Sequence, residues 1–263
     1  MRNWVNKLVP LLLSQVLALV AVTKIKEAMV LELKPVEAAG FSLTILAGVL
    51  IFSVFILLLV RHGLVKVLSG FGYLALFLMN LSGISILISN SPFNDPLIPA
   101  IVISAVLTVL SNLKHVGDLF KCLGAGVFAA CLATCFGAVF PVILLALLSV
   151  YDLWSVYKGP IKEVISRENP NGHRKHLLKP LTVRLGDVEM GIGDVLAYAC
   201  MVSLTVKNLG FPLLIAPVAS MYIGVVIVLW VVRRKGILPG LPIPFVFWAA
   251  TYLSLLTMVG GGL

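Results

Sequence analysis

Two aspartates of this chain lie inside long apolar segments, where a carboxylate is costly. Asp194 closes the motif Gly191-Ile192-Gly193-Asp194 at the head of one apolar run, and Asp152 lies near the end of the run before it. A chain that keeps an ionisable side chain in a membrane usually turns it towards a wet protein interior and gives it a partner. The sequence therefore predicts that Asp152 and Asp194 form a pair.

Two neighbouring carboxylates are suited to the hydrolysis of a peptide bond. One acts as the general base on a water molecule, and the other, protonated, donates to the carbonyl oxygen of the substrate. Because ionising both is costly, the two groups share a proton, and the sequence leaves open which aspartate carries it. Gly191 and Gly193 remove side chains where an extended substrate or the partner helix must come close.

The composition places this pair in a multi-pass membrane protein. Of the 263 residues, 60% are hydrophobic and only 12% are charged, whereas a soluble domain is about half apolar and about a quarter charged. The net charge of +9 comes without a basic patch interleaved with aromatic residues, so nucleic acid is not a predicted partner. We expect one polytopic domain over residues 1–263, located in the cell membrane.

Nine apolar segments predict an all-α membrane protein with about nine transmembrane helices. Residues 1–134 would hold helices 1–5, and residues 137–263 would hold the catalytic helices 6–9 with a cytoplasmic loop at 158–189. Residues 24–42 are expected to form a connection. The boundary near residues 134–137 is the least defined, because it offers few turn residues, and a span plus a re-entrant piece is the alternative there. The segments run approximately over 8–23, 43–60, 64–89, 97–112, 119–134, 137–157, 190–207, 211–232 and 242–259.

The distribution of basic residues predicts the orientation. With a cytoplasmic N-terminus, 16 of the 20 Lys and Arg residues lie on the inside. Cytoplasmic loops of membrane proteins carry an excess of Lys and Arg, so this orientation is the predicted one. The C-terminus is then outside. Merging the fifth and sixth segments would move the basic loop 158–189 outside, so the bias also favours two spans there. The four basic residues left outside are Lys24, Lys26, Lys34 and Lys207.

This arrangement brings the two aspartates to a similar depth. Asp152 precedes Lys158 by six residues, or about 9 Å along a helix, and Asp194 is expected about four residues into its own helix on the same side. Between them, residues 181–185 alternate β-formers with other residues and predict a short strand.

No cofactor and no metal site are predicted. Cys131 and Cys135 could share a helix face, but zinc sites need tighter, mixed Cys and His spacings. His173 and His176 form an isolated pair in a polar loop. Packing explains the cysteines better.

Three motifs in order resemble the presenilin and signal peptide peptidase family. They are Ser149-Val150-Tyr151-Asp152 followed by Lys158-Gly159-Pro160, then Gly191-Ile192-Gly193-Asp194, and finally Pro239-Gly240-Leu241-Pro242. The resemblance implies an intramembrane aspartyl endopeptidase whose catalytic residues are Asp152 and Asp194. It also implies that Pro239, Leu241 and Pro242 shape the active site and help to admit substrate. Gly240 stands where presenilins usually carry alanine, a small-for-small difference that is not expected to abolish activity.

The chain is most similar to a compact microbial presenilin homologue, because the Lys-Gly-Pro sequence and the cytoplasmic N-terminus suit presenilin better than signal peptide peptidase. The partners implied are the transmembrane helices of substrate proteins and the lipid bilayer, without obligatory accessory subunits and with no oligomeric state indicated. Tyr151 is either an interfacial anchor or a hydrogen-bond donor to Asp152.

Two other functions are compatible with the aspartates. A prepilin-peptidase-like protease also uses Gly-x-Gly-Asp but would not require the element at residues 239–242. A transporter or ion channel could use the pair as a proton or ion relay, although no repeated half-sequence is visible.

Proteolysis of a transmembrane helix requires local unwinding, because all backbone groups of the helix are paired. We expect the unwound segment to add as a strand to residues near 181–185 or 238–242, since backbone pairing supplies affinity.

Overall fold

The computed structural model contains nine α-helices and one β-hairpin in the part of the chain that it describes, residues 2–25, 34–62, 64–88, 95–113, 116–157, 179–185, 188–235 and 238–259. The predicted helical architecture is therefore confirmed. The helices are α1 Arg2–Lys24, α2 Pro35–Arg61, α3 Val65–Ile88, α4 Leu97–Leu110, α5 Gly117–Cys135, α6 Val139–Tyr157, α7 Ile192–Leu209, α8 Ile215–Lys235 and α9 Pro242–Met258.

Six of these helices are long and apolar enough to cross a membrane: α2, α3 and α5 to α8. The apolar parts of α1, α4 and α9 are shorter, at 10–17 residues. The start of the second helix differs most from the prediction. Helix α2 begins at Pro35, so residues 35–42 of the expected connection 24–42 are helical. Proline suits the first turn of a helix because its missing N–H would have no partner there.

The fifth and sixth segments are two separate helices, as predicted from the charge bias. Helix α5 ends at Cys135, Phe136 has extended dihedral angles (φ −111°, ψ 150°), and α6 begins at Val139. The carbonyl groups at this helix end are bound by Lys207, whose Nζ donates to the carbonyls of Ala133, Thr134 and Phe136 at 3.0, 3.1 and 3.0 Å. A side chain from α7 thus satisfies groups that the end of a helix leaves unpaired.

A β-hairpin leads directly into α7. The predicted strand is present as β1, Thr182–Leu185, and it pairs antiparallel with β2, Val188–Gly191. The expectation of an all-α chain omitted this hairpin, and residues 190 and 191 of the predicted segment 190–207 belong to β2. Because α7 begins only at Ile192, Asp194 lies in the first turn of the helix, earlier than expected.

Helix α7 forms the centre of the core. Twelve of its 18 residues are buried, and it packs mainly against α5 and α1. Helices α5 and α7 run in the same direction, because the start of α5 contacts β1 while its end is bound by Lys207 at the far end of α7. Helices α1 and α5 approach closely at Gly126, where a Cβ atom would overlap the backbone of Ser14.

Candidate active site

Asp152 lies near the end of α6 and is half-buried. Its Oδ2 atom accepts a hydrogen bond of 3.1 Å from the backbone N–H of Leu241. This donor comes from the segment immediately before α9, so the carboxylate is oriented by an element that is distant in sequence. A carboxylate that accepts a backbone N–H is held more firmly than one that faces only water.

Asp194 lies beside Asp152 in the first turn of α7. The two carboxylates are close enough to interact electrostatically. Gly191 ends β2 and is also the N-cap residue of α7, in an extended conformation (φ −64°, ψ 141°). The hairpin therefore determines where α7 begins, and the helix start in turn determines the position of Asp194. The structure thus brings together the two aspartates that the sequence paired.

Residues 239–242, here called the α9 entry loop, contact both aspartates. Leu241 binds Asp152 through its N–H, and Gly240 lies against Asp194, where a Cβ atom would be only 2.9 Å from the aspartate Cγ. Pro239 and Leu241 are buried. Pro242 is the first residue of α9, so the predicted opening of the ninth helix by this motif is confirmed.

The other predicted glycines differ in their surroundings. A Cβ atom on Gly191 would lie 3.7 Å from Oδ2 of Asp194, which is ordinary contact. Gly193 is exposed, and apart from its chain neighbours and its own helix backbone no atom of the described residues lies within 4 Å of the position that a Cβ would take. We expected these glycines to allow close approach of either a partner helix or an extended substrate. Among the described residues no partner helix packs against Gly193, so only the substrate role remains a prediction there.

The hydroxyl of Tyr151 is hydrogen-bonded to Oγ of Ser53 on α2. In the described part of the chain, the structure thus pairs it with a neighbouring helix and not with the adjacent Asp152. Helix α2 packs mainly on α6. The bond from Tyr151 therefore links these two helices at the residue next to Asp152.

Tyr198 is a residue of this site that the sequence analysis did not identify. It is fully buried, and its hydroxyl donates a hydrogen bond of 2.7 Å to the carbonyl of Gly240. The hydroxyl is also close enough to Asp194 and Asp152 to interact with both electrostatically. The available signal was its spacing, because residues four apart lie on one face of a helix, and Tyr198 follows Asp194 by four.

The hairpin is attached to α5 by two side chains. Lys121 donates from Nζ to the carbonyl of Thr182 at 2.7 Å, and Asp118 accepts the backbone N–H of Arg184 at 3.3 Å. Lys121 and Asp118 are also joined by a salt bridge of 3.0 Å. This attachment covers the outer edge of β1 and holds the segment that precedes Asp194.

No metal site is evident in the residues that the structure describes, where no three side chains of His, Cys, Asp or Glu cluster suitably. Cys122, Cys131 and Cys200 are buried, and Cys135 is partly buried. His173 and His176 lie outside the described residues. The groups that the described residues place at the site are two carboxylates, a tyrosine hydroxyl and backbone groups.

Comparison with solved structures identifies the fold. The chain is similar to a presenilin family intramembrane aspartate protease, with a TM-score of 0.67 and 20% sequence identity over 97% of this chain and 99% of the other. A second crystal form of such a protease matches with a TM-score of 0.66 and 21% identity over 96% and 97%. No protein-family model and no curated protein matches the sequence. The chain thus has the presenilin-type fold.

Proposed function

We propose that this protein is an intramembrane aspartyl endopeptidase that hydrolyses peptide bonds within the transmembrane segments of other membrane proteins. The observation that carries the proposal is that Asp152 and Asp194, both half-buried, lie side by side at the ends of two apolar helices. The presenilin-type fold supports it, because the solved structures of that fold reported above are intramembrane aspartate proteases.

In the proposed reaction, one aspartate removes a proton from a water molecule that attacks the scissile carbonyl carbon. The other aspartate, protonated, donates to the carbonyl oxygen, so that a tetrahedral gem-diol forms. The first aspartate then passes the proton taken from water to the amide nitrogen, and the second recovers its proton from the gem-diol as the carbonyl re-forms. The C–N bond breaks, and an amine and a carboxylic acid are released. The α9 entry loop holds the carboxylates in place through Leu241 and Gly240. The open space at Gly193 leaves room for the substrate backbone.

The substrate is proposed to bind as a strand, and the geometry of the hairpin favours one edge. The N–H of Arg184 points to α5, away from β2, so Arg184 and Glu189 form a non-hydrogen-bonded pair. Every second pair of an antiparallel ladder is of the same type, so Thr182 and Gly191 are also a non-hydrogen-bonded pair. The backbone groups of Glu189 and Gly191 therefore point away from β1.

This geometry argues against strand addition at residues 181–185, because Asp118 and Lys121 already occupy the outer edge of β1. The outer edge of β2 is therefore a candidate beside residues 238–242, and it ends at Gly191, three residues before Asp194. A segment added there would run past the aspartates, and backbone pairing would hold it independently of its side chains. An unwound helix of varied sequence could bind in this way.

The membrane context follows the charge distribution. We propose a cytoplasmic N-terminus, an external C-terminus and residence in the cell membrane, since this orientation places the basic loop 158–189 inside. The aspartates then lie near the cytoplasmic face. The purified chain is expected to cleave without an accessory subunit.

The decisive experiment is cleavage of a single-span substrate by the purified protein in detergent. The parent protein and an Asp95→Asn control should cleave it, because Asp95 is exposed and its side chain accepts a hydrogen bond from Leu97 at the start of α4. Asp152→Asn and Asp194→Asn should each abolish cleavage. Activity in either aspartate variant would refute the dyad, and ion flux in vesicles without a peptide product would favour a carrier.

A further inference from the structure

A single peptide group in the α9 entry loop is hydrogen-bonded at both ends. Its carbonyl, from Gly240, accepts the hydroxyl of Tyr198 at 2.7 Å, and its N–H, from Leu241, donates to Oδ2 of Asp152 at 3.1 Å. The first partner lies on α7 and the second on α6. One rigid, planar unit therefore joins the helix that carries Asp194 to the carboxylate of Asp152.

The orientation of this peptide group depends on both bonds. The carbonyl and the N–H point in opposite directions across the planar unit, so a rotation that moves the carbonyl away from Tyr198 also moves the N–H away from Asp152. Gly240 is the residue at this point of the loop, and glycine restrains its backbone less than any other residue. The side-chain bond from Tyr198 supplies a restraint that the backbone itself lacks.

Tyr198 is well placed to provide that restraint. Its ring is fully buried, and a buried hydroxyl is costly unless it has a partner. It lies one helical turn after Asp194 on α7, so the distance between the two side chains is set by the helix. Through Gly240, the same residue keeps the loop against Asp194 and the Leu241 N–H on Asp152.

We propose that Tyr198 is a positioning residue of the active site, whose hydroxyl fixes the Gly240–Leu241 peptide group so that both aspartates keep their mutual arrangement. This inference rests on the proposed function, because the arrangement matters only if the aspartates act together on a peptide bond. Tyr198 acts through the backbone of the loop and contributes no proton to the reaction.

The test is Tyr198→Phe, which removes the hydroxyl and keeps the ring. Loss of the hydrogen bond to the Gly240 carbonyl should lower kcat about tenfold, which corresponds to about 1.4 kcal/mol. The KM for a single-span substrate should change less than about twofold, because the hydroxyl faces the protein and the proposed binding edge is on β2.

The matched control is Tyr252→Phe. Tyr252 is buried on α9, and its hydroxyl accepts a hydrogen bond of 2.8 Å from Asn208 at the far end of α7. It joins the same two regions of the fold as Tyr198 but lies away from the aspartates. Both variants should lose similar thermal stability, whereas Tyr252→Phe should keep the parent kcat.

Equal kcat values for the two variants would overturn the inference, as would a change confined to KM. A Tyr198→Phe protein that fails to fold where Tyr252→Phe folds would assign the hydroxyl to stability and would also overturn it. Asp152→Asn and Asp194→Asn, measured in parallel, separate this result from the function itself. If they remain active, the proposed dyad fails, whereas an active Tyr198→Phe beside two inactive aspartate variants rejects only the positioning role.

Discussion

Gly240 lies directly against the carboxylate of Asp194, so that a methyl group on its Cα would come within 2.9 Å of the aspartate Cγ. The atoms that such a methyl group would meet all belong to the Asp194 side chain, so either this side chain or the loop would have to shift. The absence of a side chain at residue 240 therefore contributes to the geometry of the site.

Replacement of Gly240 by alanine is expected to lower kcat at least about tenfold in this chain, even though presenilins usually carry alanine there, because here the new methyl group overlaps Asp194. A shift of several tenths of an ångström or more follows, and proximity effects are sensitive to such shifts. The measurement is steady-state cleavage of a single-span substrate. Gly48→Ala is the control, since Gly48 is exposed on α2 and has open space around its Cα. Parent-like activity of Gly240→Ala would mean that the loop yields and does not position Asp194.

The outer edge of β2 can be tested through the backbone of Glu189. Glu189→Pro removes an N–H that points away from β1 and leaves the N–H groups that face β1 in place, so a substrate strand added at this edge would lose one backbone partner. We expect KM to rise about fivefold, the effect of about 1 kcal/mol for one hydrogen bond. Glu189→Ala separates this effect from loss of the side chain, which forms a 3.7 Å salt bridge with Arg184. If both variants show the same KM, the proposed pairing edge is wrong.

Lys207 is expected to stabilise the end of α5. Lys207→Met keeps the apolar stem and removes the donor to three carbonyl groups, which should cost about 2 kcal/mol or more because these groups lose their partner. The readout is the thermal transition in detergent. Lys24→Met, at an exposed position at the end of α1, should leave the transition within about 1 °C, since surface substitutions have small effects. A similar loss in both variants would show that the carbonyls do not depend on Lys207.

The proposed orientation predicts which positions are accessible from outside. Lys34 and His62 are exposed residues beside opposite ends of α2. With a cytoplasmic N-terminus, a membrane-impermeant maleimide added to intact cells should label Lys34→Cys and not His62→Cys. The parent protein measures the background from its own cysteines, three of which are buried. The reverse labelling pattern would invert the topology and place the aspartates near the external face.

Much of the fold was predictable because its determinants are local. Apolar segment length and the charges beside it determine which parts of the chain become helices, and both are read along the sequence. The same reasoning brought Asp152 and Asp194 to a similar depth, since depth follows from counting residues along a helix. The strand at 181–185 was also predictable from its alternation, whereas β2 was not, because its residues continue into the apolar run of α7.

The sequence by itself therefore determined the helices, the two aspartates and the proline-rich start of α9. Tertiary structure decided how these parts meet: the Tyr198 bond to Gly240, the Leu241 bond to Asp152, the pairing of Tyr151 with Ser53 and the capping of α5 by Lys207. Each joins residues that are at least 42 positions apart in the chain. Such contacts depend on which helix faces pack together, and neither hydropathy nor local spacing specifies that choice.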